Sequence, residues 1–492
     1  MNNKKDYRQA YEDEMPLVAL MNKDIYGVIK WCTPSLHPYV ARINGIYDND
    51  VSISYHSLGN PSINTGVFKK AHDLAAVAYK SEHTLFSVNG SSGSNFVVLR
   101  ALSHQLKKVN ILAQRNVHKS ISVAAEDYKI NINYLQPHYD QDLQIFIPNT
   151  TEEFLEGIKK HPETNVVFIS NPTYEGLSVD LPKFVQTIRK VNPKLIIYVD
   201  EAWGSLFPFS DKMPICAMEA GADICVQSTH KQSSGLQQTG MIHWQGNRID
   251  EKFIMDSYKS IITTSPSFHL LASLDAARFL MQTQGQTIID QLISVANKLS
   301  LELSKIKGLN IVNHDDITKK YPQVKFSDRT KVLVNVKNTK IPGYEIAKCL
   351  ESDYKVVLEK YEAENIFFIA IMQNTEYTAT ETAIRLKACI EKLSKKGAKQ
   401  KAIFPDLPLE IKKSLPSYEV SDKNIVEVKL EESIGMICAE DVVPYPPGIP
   451  LIAKGEIIIK KHIDYLKAIK KLKGLISVVI NDDEIEKLLV IK

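Results

Sequence analysis

Apolar segments that alternate with helix-like segments between residues 66 and 244 constrain the fold of this chain most strongly. The expected strands are "HTLFSV" (83–88), "VNILAQ" (109–114), "NVVFIS" (165–170), "KLIIYVDEA" (194–202) and "DICVQST" (223–229). Each strand runs into polar residues, and most are followed by a turn or a helical pattern. This alternation is typical of an α/β domain with a mainly parallel sheet, in which the binding site lies at the carboxyl ends of the strands.

The pattern changes after Trp244. Long helical stretches cover 265–284 and 288–306, and strands are expected at 332–336 and 366–372, which indicates a smaller α+β region. A stretch rich in lysine and proline at 395–419 is typical of a linker. We therefore expect four parts: an N-terminal segment (1–65), a major domain (66–285), a small α+β domain (286–400) and a C-terminal domain (401–492).

Composition excludes several classes of protein. The 492 residues contain 60 Lys and Arg against 57 Asp and Glu, interspersed, so charge indicates neither a nucleic-acid nor a membrane partner. Six cysteines are scattered without metal-type spacing, which favours reduced thiols, a cytoplasmic location and no metal site. The N-terminus is too charged for a secretory signal, and no apolar run is long enough to span a bilayer.

Polar residues at the strand ends supply the groups that pyridoxal 5'-phosphate (PLP) needs. Lys231 offers an amine for a Schiff base with the cofactor aldehyde, and Asp200 offers a carboxylate to keep the pyridinium nitrogen protonated. His118 adds a ring. Ser91 and Ser92 lie in "NGSSGSN" (89–95), a turn that opens a helix and can bind a phosphate through backbone N–H groups and hydroxyls.

Each of these residues also has a purely structural interpretation. Asp200 is able to cap a helix, and Ser91 and Ser92 are able to cap the helix that follows them, a role compatible with phosphate binding. His118 is able to start a helix at the surface, and Trp203 is able to fill the core. The combination of the carboxylate, the lysine about thirty residues later and the upstream Gly/Ser turn favours the cofactor site.

The chain resembles the ornithine/lysine/arginine decarboxylase family, PLP enzymes of the aspartate aminotransferase fold (fold type I). The segments that carry the resemblance are "VNGSSGSN", "RNVHKS", "SNPTYEGLSVDL", "VDEAWG", "QSTHK", "TTSPSFHLLASLDAAR" and "YPPGIPLIAKGE". They span residues 88–278 and return at 434–456. The resemblance therefore implies a PLP-binding major domain with a mainly parallel sheet, a small α+β domain and a decarboxylase-type C-terminal domain.

The resemblance also implies a role for each site residue. The cofactor would be held by Gly90, Ser91, Ser92, His118, Asp200, Ala202, Trp203, Ser228, His230 and Lys231. Lys231 would form the Schiff base, Asp200 would pair with the pyridine nitrogen, and His118 would stack on the ring. Ser91, Ser92, Ser228 and His230 would bind the phosphate. Thr264 and Ser265 would reach the site of a neighbouring subunit in a homodimer.

The implied reaction is decarboxylation of an amino acid through a quinonoid intermediate, with lysine, ornithine, arginine or a related amino acid as substrate. Three departures concern the substrate side. The "PGHK" segment of the family is absent from 29–45, the acidic loop expected at 54–66 has no carboxylate, and Met436 stands where an arginine is common. The alternatives are an aminotransferase or another reaction at Cα on a changed substrate, and, less favoured, a non-catalytic homologue.

Overall fold

The computed structural model describes residues 14–17, 51–52, 55–395, 406–445, 450–470, 477–478 and 486–492. The segment 29–45, in which the "PGHK" motif was sought, lies outside the described residues, as do 446–449 of the C-terminal motif. The predicted boundary at residue 400 falls within an undescribed stretch, and the four-part division stays a prediction.

The strands within the described residues are β1 His83–Ser87, β2 Asn110–Ala113, β3 Asn131–Tyr134, β4 His138–Asp140, β5 Ile145–Ile147, β6 Val166–Ser170, β7 Leu177–Ser178, β8 Ile196–Asp200, β9 Ile224–Gln227, β10 Gly240–Trp244, β11 Asn310–Ile311, β12 Phe326–Ser327, β13 Lys331–Asn335, β14 Lys360–Tyr361, β15 Asn365–Ile369, β16 Ile425–Lys429, β17 Pro444–Tyr445, β18 Ser477–Val478 and β19 Lys487–Ile491. All seven strands expected from the sequence are present within a few residues of the predicted bounds.

The α-helices within the described residues are α1 Gly66–Ala78, α2 Gly90–Gln105, α3 Lys119–Asp127, α4 Thr151–Lys160, α5 Leu181–Val191, α6 Thr229–Gln232, α7 Glu251–Ile261, α8 Phe268–Ser304, α9 His314–Lys320, α10 Gly343–Tyr354, α11 Glu376–Lys395, α12 Ser417–Val420 and α13 Lys460–Lys470. Apolar spacing explains such helices: in α5, Leu181, Phe184, Val185 and Ile188 are buried, which is the i, i+3, i+4, i+7 stripe of a helix that covers a core.

The chain divides into two compact units. The first consists of 1–108, 165–172 and 181–288, and the second consists of 109–164, 173–180 and 289–492. In the first unit the strands lie side by side in the order β1-β10-β9-β8-β6. Strands β6, β8 and β9 run parallel, whereas β10 runs antiparallel to both of its neighbours. The five residues of β8 are all buried, as expected for a strand covered on both faces.

The register of this sheet brings three chain segments to one edge. Ser170 pairs with Asp200, and Asp200 pairs with Val226, so the carboxyl ends of β6, β8 and β9 are aligned. Ser87, at the end of β1, pairs with Gly240, at the start of the antiparallel β10. The turn that follows β1 and opens α2 therefore emerges at the same edge as the ends of β8 and β9.

Helix α8 corrects the sequence interpretation in one respect. The two helical stretches expected at 265–284 and 288–306 form one helix of 37 residues. Gly285 lies within it rather than at a break. A Cβ at this position would lie 2.6 Å from the Cβ of Phe209, so the glycine permits close packing of a neighbouring segment.

The second unit contains a parallel pair, β2 and β3, and an antiparallel sheet of order β11-β13-β15-β14. Its C-terminal part has a core that includes Cys438, Val442, Ile452, Leu466 and Val490. Met436, one of the substrate-side departures, packs against this core.

A buried ion pair lies beside the C-terminal core. Arg115, just after β2, donates from both terminal nitrogens to Glu456 at 2.7 and 2.9 Å, and its Nε donates to the carbonyl of Pro450 at 3.2 Å. The backbone N–H of Ala453 donates to the same carboxylate at 2.9 Å. Since both partners are only 4% exposed, the pair ties "YPPGIPLIAKGE" to the end of β2 within the second unit.

Candidate active site

Asp200 is the last residue of β8, and its carboxylate is held by two donors. The backbone N–H of Ala202 donates to Oδ1 at 3.0 Å, and the side-chain amide of Asn95, in α2, donates to Oδ2 at 3.4 Å. Tyr198, two residues earlier on β8, donates its hydroxyl to Asn95 Oδ1. No α-helix starts at 201–206, where the chain forms turns, so Asp200 is not a helix N-cap. Its charge is fixed in a buried position, 5% exposed.

Asn95 was missed by sequence reasoning. It closes the "NGSSGSN" segment but lies within the second turn of α2, where its buried side chain contacts Asp200 rather than the solvent. An asparagine inside a helix is unfavourable by propensity, and this was the one available signal of a tertiary role.

The start of α2 forms a small cradle of donors. Gly90 begins the helix with φ of 61°, and its N–H donates to the carbonyl of Gln238 at 2.7 Å. The hydroxyl of Ser228 donates to the hydroxyl of Ser91 at 2.7 Å, which links the end of β9 to the first turn of α2. A Cβ on Gly240 would lie 2.9 Å from the Gly90 carbonyl carbon, so only glycine permits this approach of β10. The first turn of a helix and two hydroxyls form a donor set that suits a phosphate.

His230 lies beside this cradle. Its Cε1 would be 3.6 Å from a Cβ built on Gly90, and its Nδ1 is 2.6 Å from the carbonyl of Thr239. A carbonyl only accepts, so Nδ1 carries a proton. Burial is the main cause that lowers the pKa of His230, and the nearby Lys231 also lowers it, so the ring is neutral at pH 7. Ser92, next to Ser91 on α2, is exposed.

Lys231 lies on α6, a four-residue helix that follows β9. Its Nζ lies 3.9 Å from the ring centroid of Trp203. A cation this close to an indole face is attracted by the ring quadrupole. Trp203 therefore does not simply fill the core, because its ring contacts the Lys231 ammonium. Ala202, the residue before Trp203, is 9% exposed.

Two further sets of predicted residues have local hydrogen bonds of their own. Thr264 and Ser265 are exposed in the segment between α7 and α8, where the Ser265 N–H donates to the Thr263 hydroxyl at 3.2 Å. His118 belongs to the second unit and caps α3, its Nδ1 accepting from the Ser120 N–H at 3.2 Å. Contact of Thr264 and Ser265 with a neighbouring subunit, and of His118 with the cofactor ring, stays a prediction.

Within the part of the chain that the structure describes, no group of three or more His, Cys, Asp and Glu side chains is arranged to hold a metal ion. None of the helices in this part combines the length and the apolar character needed to cross a bilayer.

Comparison with known proteins identifies first the fold and then the family. The structure of Francisella novicida lysine decarboxylase matches with a TM-score of 0.82 and 20% sequence identity, covering 98% of this chain and 82% of that chain. A NifS-like protein matches with a TM-score of 0.52 and 16% identity, covering 74% of this chain and 97% of that chain. The fold is therefore that of the fold type I PLP-dependent enzymes, as expected from the sequence.

The chain belongs to the Orn/Lys/Arg decarboxylase family. Residues 43–377 match the model of the "Orn/Lys/Arg decarboxylase, major domain", and residues 398–476 match that of the "Orn/Lys/Arg decarboxylase, C-terminal domain". Arginine decarboxylase of Bacillus subtilis (strain 168) is 30% identical over 405 residues, which cover 82% of this chain and 81% of that protein. The family and the amino-acid decarboxylase class predicted from the sequence are confirmed.

Proposed function

We propose that this chain is a PLP-dependent decarboxylase of a basic amino acid, with arginine as the first substrate to test. Arginine decarboxylase of Halalkalibacterium halodurans is 31% identical over 438 residues, covering 86% of this chain and 85% of that protein. An inducible lysine decarboxylase of Escherichia coli (strain K12) is 24% identical over 513 residues, covering 86% of this chain and 70% of that protein. Arginine therefore has the stronger support.

One observation carries the proposal. Within the first unit, a buried carboxylate fixed by two donors, Asp200, ends the strand next to the one that leads to Lys231. The Ser91–Ser228 hydroxyl pair at the start of α2 adds the phosphate donors at the same sheet edge. A carboxylate, an amine and a phosphate cradle are the three groups that PLP requires of a protein, so these residues fit the cofactor.

The residues would divide the work as follows. Lys231 would attach the cofactor covalently through its amine, and Asp200 would keep the ring nitrogen protonated. The N–H groups of the first turn of α2, with Ser91, Ser92 and Ser228, would bind the phosphate, and neutral His230 would offer Nε2 near the same cradle. His118 is proposed to cover the ring.

PLP, if bound here, would supply an electron sink for cleavage of the bond between Cα and the carboxylate, which leaves as carbon dioxide. A proton then has to reach Cα to give the amine product. Asp200 promotes this chemistry because its charge favours the protonated ring nitrogen, and the donors Ala202 N–H and Asn95 keep that carboxylate in place.

We further propose a cytoplasmic homodimer in which Thr264 and Ser265 of one subunit contribute to the site of the other. Exposure of this segment in the single chain supports the dimer. The five cysteines within the described residues are free and buried, which supports a reducing compartment.

Trapping the cofactor tests the first part of the proposal. The purified protein is incubated with PLP and reduced with borohydride, and the labelled peptide is identified by mass spectrometry. We expect a pyridoxyl group on Lys231 and none in Lys231→Ala. Lys80→Ala, which removes a surface lysine paired with Glu219 at 2.6 Å, serves as the matched control. Label on another lysine would contradict the assignment.

Product analysis tests the reaction and the substrate. Arginine, lysine, ornithine and the other amino acids are supplied singly, and carbon dioxide, keto acid, ammonia and peroxide are followed in parallel. Carbon dioxide with arginine or another basic amino acid supports the proposal. A keto acid without carbon dioxide would mean transamination, and no product from any of them would mean a changed substrate or a silent homologue.

A further inference from the structure

Glu201, the residue after Asp200, has a fully buried side chain to which the site described above gives no role. Its Oε1 accepts from the backbone N–H of Ala217 at 2.9 Å, and its Oε2 accepts from the amide of Gln227 at 2.7 Å. The Cys225 thiol lies 3.6 Å from Oε2. A buried carboxyl is unfavourable unless its oxygens are hydrogen-bonded. The three donors around Glu201 therefore indicate that this contact has a role in the structure.

Two side-chain partners of Glu201, Cys225 and Gln227, belong to β9, the strand that leads to Lys231. Gln227 is the last residue of β9 and directly precedes Ser228, the donor to Ser91. The backbone N–H of Glu201 also donates to the carbonyl of Val226 at 2.9 Å. Glu201 therefore joins the end of β8 to the end of β9 through both its backbone and its side chain, and its partners Val226 and Gln227 lie five and four residues before Lys231.

The position of this side chain is restricted from the other side as well. Gly204 donates its N–H to the Glu201 carbonyl at 2.8 Å, and a Cβ on Gly204 would lie 2.5 Å from Glu201 Cγ. The turn after β8 thus closes tightly over the side chain. Consecutive strand residues point to opposite faces, so Asp200 faces Asn95 and α2 while Glu201 faces Ala217 and β9.

The groups that face Glu201 are neutral donors, apart from the neighbouring Asp200. Burial is the main cause that raises the pKa of Glu201 to about 8, and the Asp200 charge raises it further. Burial also raises the pKa of Cys216 to about 12 and that of Cys225 well above its usual value, so both thiols are neutral. Because the donors around this carboxyl are neutral, the carboxyl contributes hydrogen bonds rather than an ion pair.

We propose that Glu201 is a positioning residue that braces the ends of β8 and β9 by hydrogen bonds and so sets Asp200 against the Ser228–Lys231 segment. This inference rests on the proposed function. Loss of the side chain would leave the Ala217 N–H and the Gln227 amide buried without acceptors, and the strand ends would separate to find other partners.

The inference makes a distinction between two substitutions at the same position. In Glu201→Gln, Oε1 still accepts from Ala217, and the new amide can donate to Gln227 Oε1, a buried atom with no hydrogen-bond partner among the described residues, once the Gln227 amide rotates to present this oxygen. In Glu201→Ala both links are lost. The glutamine variant should therefore behave as the wild type and the alanine variant should not.

The experiment measures PLP affinity of the full chain and the pH dependence of the visible absorbance of the bound cofactor. We expect Glu201→Ala to bind PLP about tenfold or more weakly and to change the spectral titration, because that titration depends on Asp200 at the ring nitrogen. Glu201→Gln should restore both readouts. Glu219→Gln, an exposed carboxyl paired with Lys80, is the control without effect.

Two outcomes overturn the inference: an alanine variant with wild-type affinity and spectrum, or a glutamine variant as impaired as the alanine variant. If Glu201→Ala does not fold, Gln227→Met removes one link and leaves the other, and it should weaken PLP binding in the same direction; unchanged binding overturns the inference. A wild-type protein that carries no PLP on Lys231 overturns the proposed function instead, so the two failures are distinguishable.

Discussion

Asn95 donates its side-chain amide to Asp200 across 3.4 Å and accepts the hydroxyl of Tyr198 on its other atom. The helix that follows the Gly/Ser turn therefore contributes a side chain to the carboxylate at the end of β8, in addition to the cradle at its start. One helix thus contacts both the proposed phosphate site and the proposed ring-nitrogen partner.

The first prediction concerns the hydrogen bonds that Asn95 forms with Asp200 and Tyr198. Asn95→Ala should lower kcat by about tenfold, because Asp200 loses one of its two donors and the buried Tyr198 hydroxyl loses an acceptor. Steady-state decarboxylation assays check this. Asn192→Ala, which removes the acceptor of the Lys194 N–H in the turn before β8, is the control and should leave kcat unchanged. Wild-type kcat in Asn95→Ala would remove Asn95 from its role.

The second prediction concerns the hydroxyl pair at the start of α2. Ser91→Ala and Ser228→Ala should each weaken PLP binding, and the double variant should lose less than the sum of the two because the hydroxyls contact each other at 2.7 Å. Equilibrium titration with PLP gives the affinities of the wild type, the two single variants and the double variant. Ser103→Ala, near the other end of α2, is the control. Strictly additive losses would argue that the two hydroxyls act independently.

The third prediction concerns the buried ion pair of the second unit. Glu456→Gln should lower the free energy of unfolding by about 3–5 kcal/mol, because Arg115 is left as an unpaired buried cation. Urea unfolding measures the change. The exposed pair Lys487–Glu427 offers the matched control, and Glu427→Gln should change stability by less than about 1 kcal/mol. Equal effects in the two variants would contradict the buried role of Arg115.

The fourth prediction concerns pH. Burial raises the pKa of Glu201 to about 8, against 4.5 in an unfolded chain, so between these values the folded state holds a proton that the unfolded state has lost. The contribution of Glu201 to stability is therefore complete below about pH 4.5 and falls as the pH rises towards 8.

Glu201→Gln removes this dependence, since its amide does not titrate. Relative to the wild type, the glutamine variant should gain stability between pH 5 and pH 8, and urea unfolding at both pH values measures the difference. The comparison cancels all other titrating groups. A constant difference between the two proteins across this range would show that Glu201 does not hold its proton in the folded state.

Several features followed from local sequence. Buried β-strands such as β6 and β8 are continuous apolar runs, so their existence and approximate ends could be predicted from periodicity alone. Lys231, Asp200 and Ser91 stood out because a polar residue that follows such a run is seldom there for packing. These three residues could be selected from patterns within short segments of the chain, and the experiments above test their proposed roles.

Other features could not be predicted in this way. Asn95 and Glu201 look ordinary in the sequence, and their significance comes from partners about 105 and 26 residues away. The short helix α6 that carries Lys231 and the continuation of α8 through Gly285, against which Phe209 packs, were not predicted either. No local pattern reports a contact between distant segments.

The amino-acid sequence alone determined the family and the α/β class and supplied the candidate residues for a cofactor site, because apolar periodicity and short motifs follow the order of residues along the chain. Only the tertiary structure decided which side chains support those residues, such as Asn95 on one side of β8 and Gln227 on the other. The physical reason is that a buried hydrogen bond is set by the register of strands and the packing of a helix, which combine residues that are far apart in the chain.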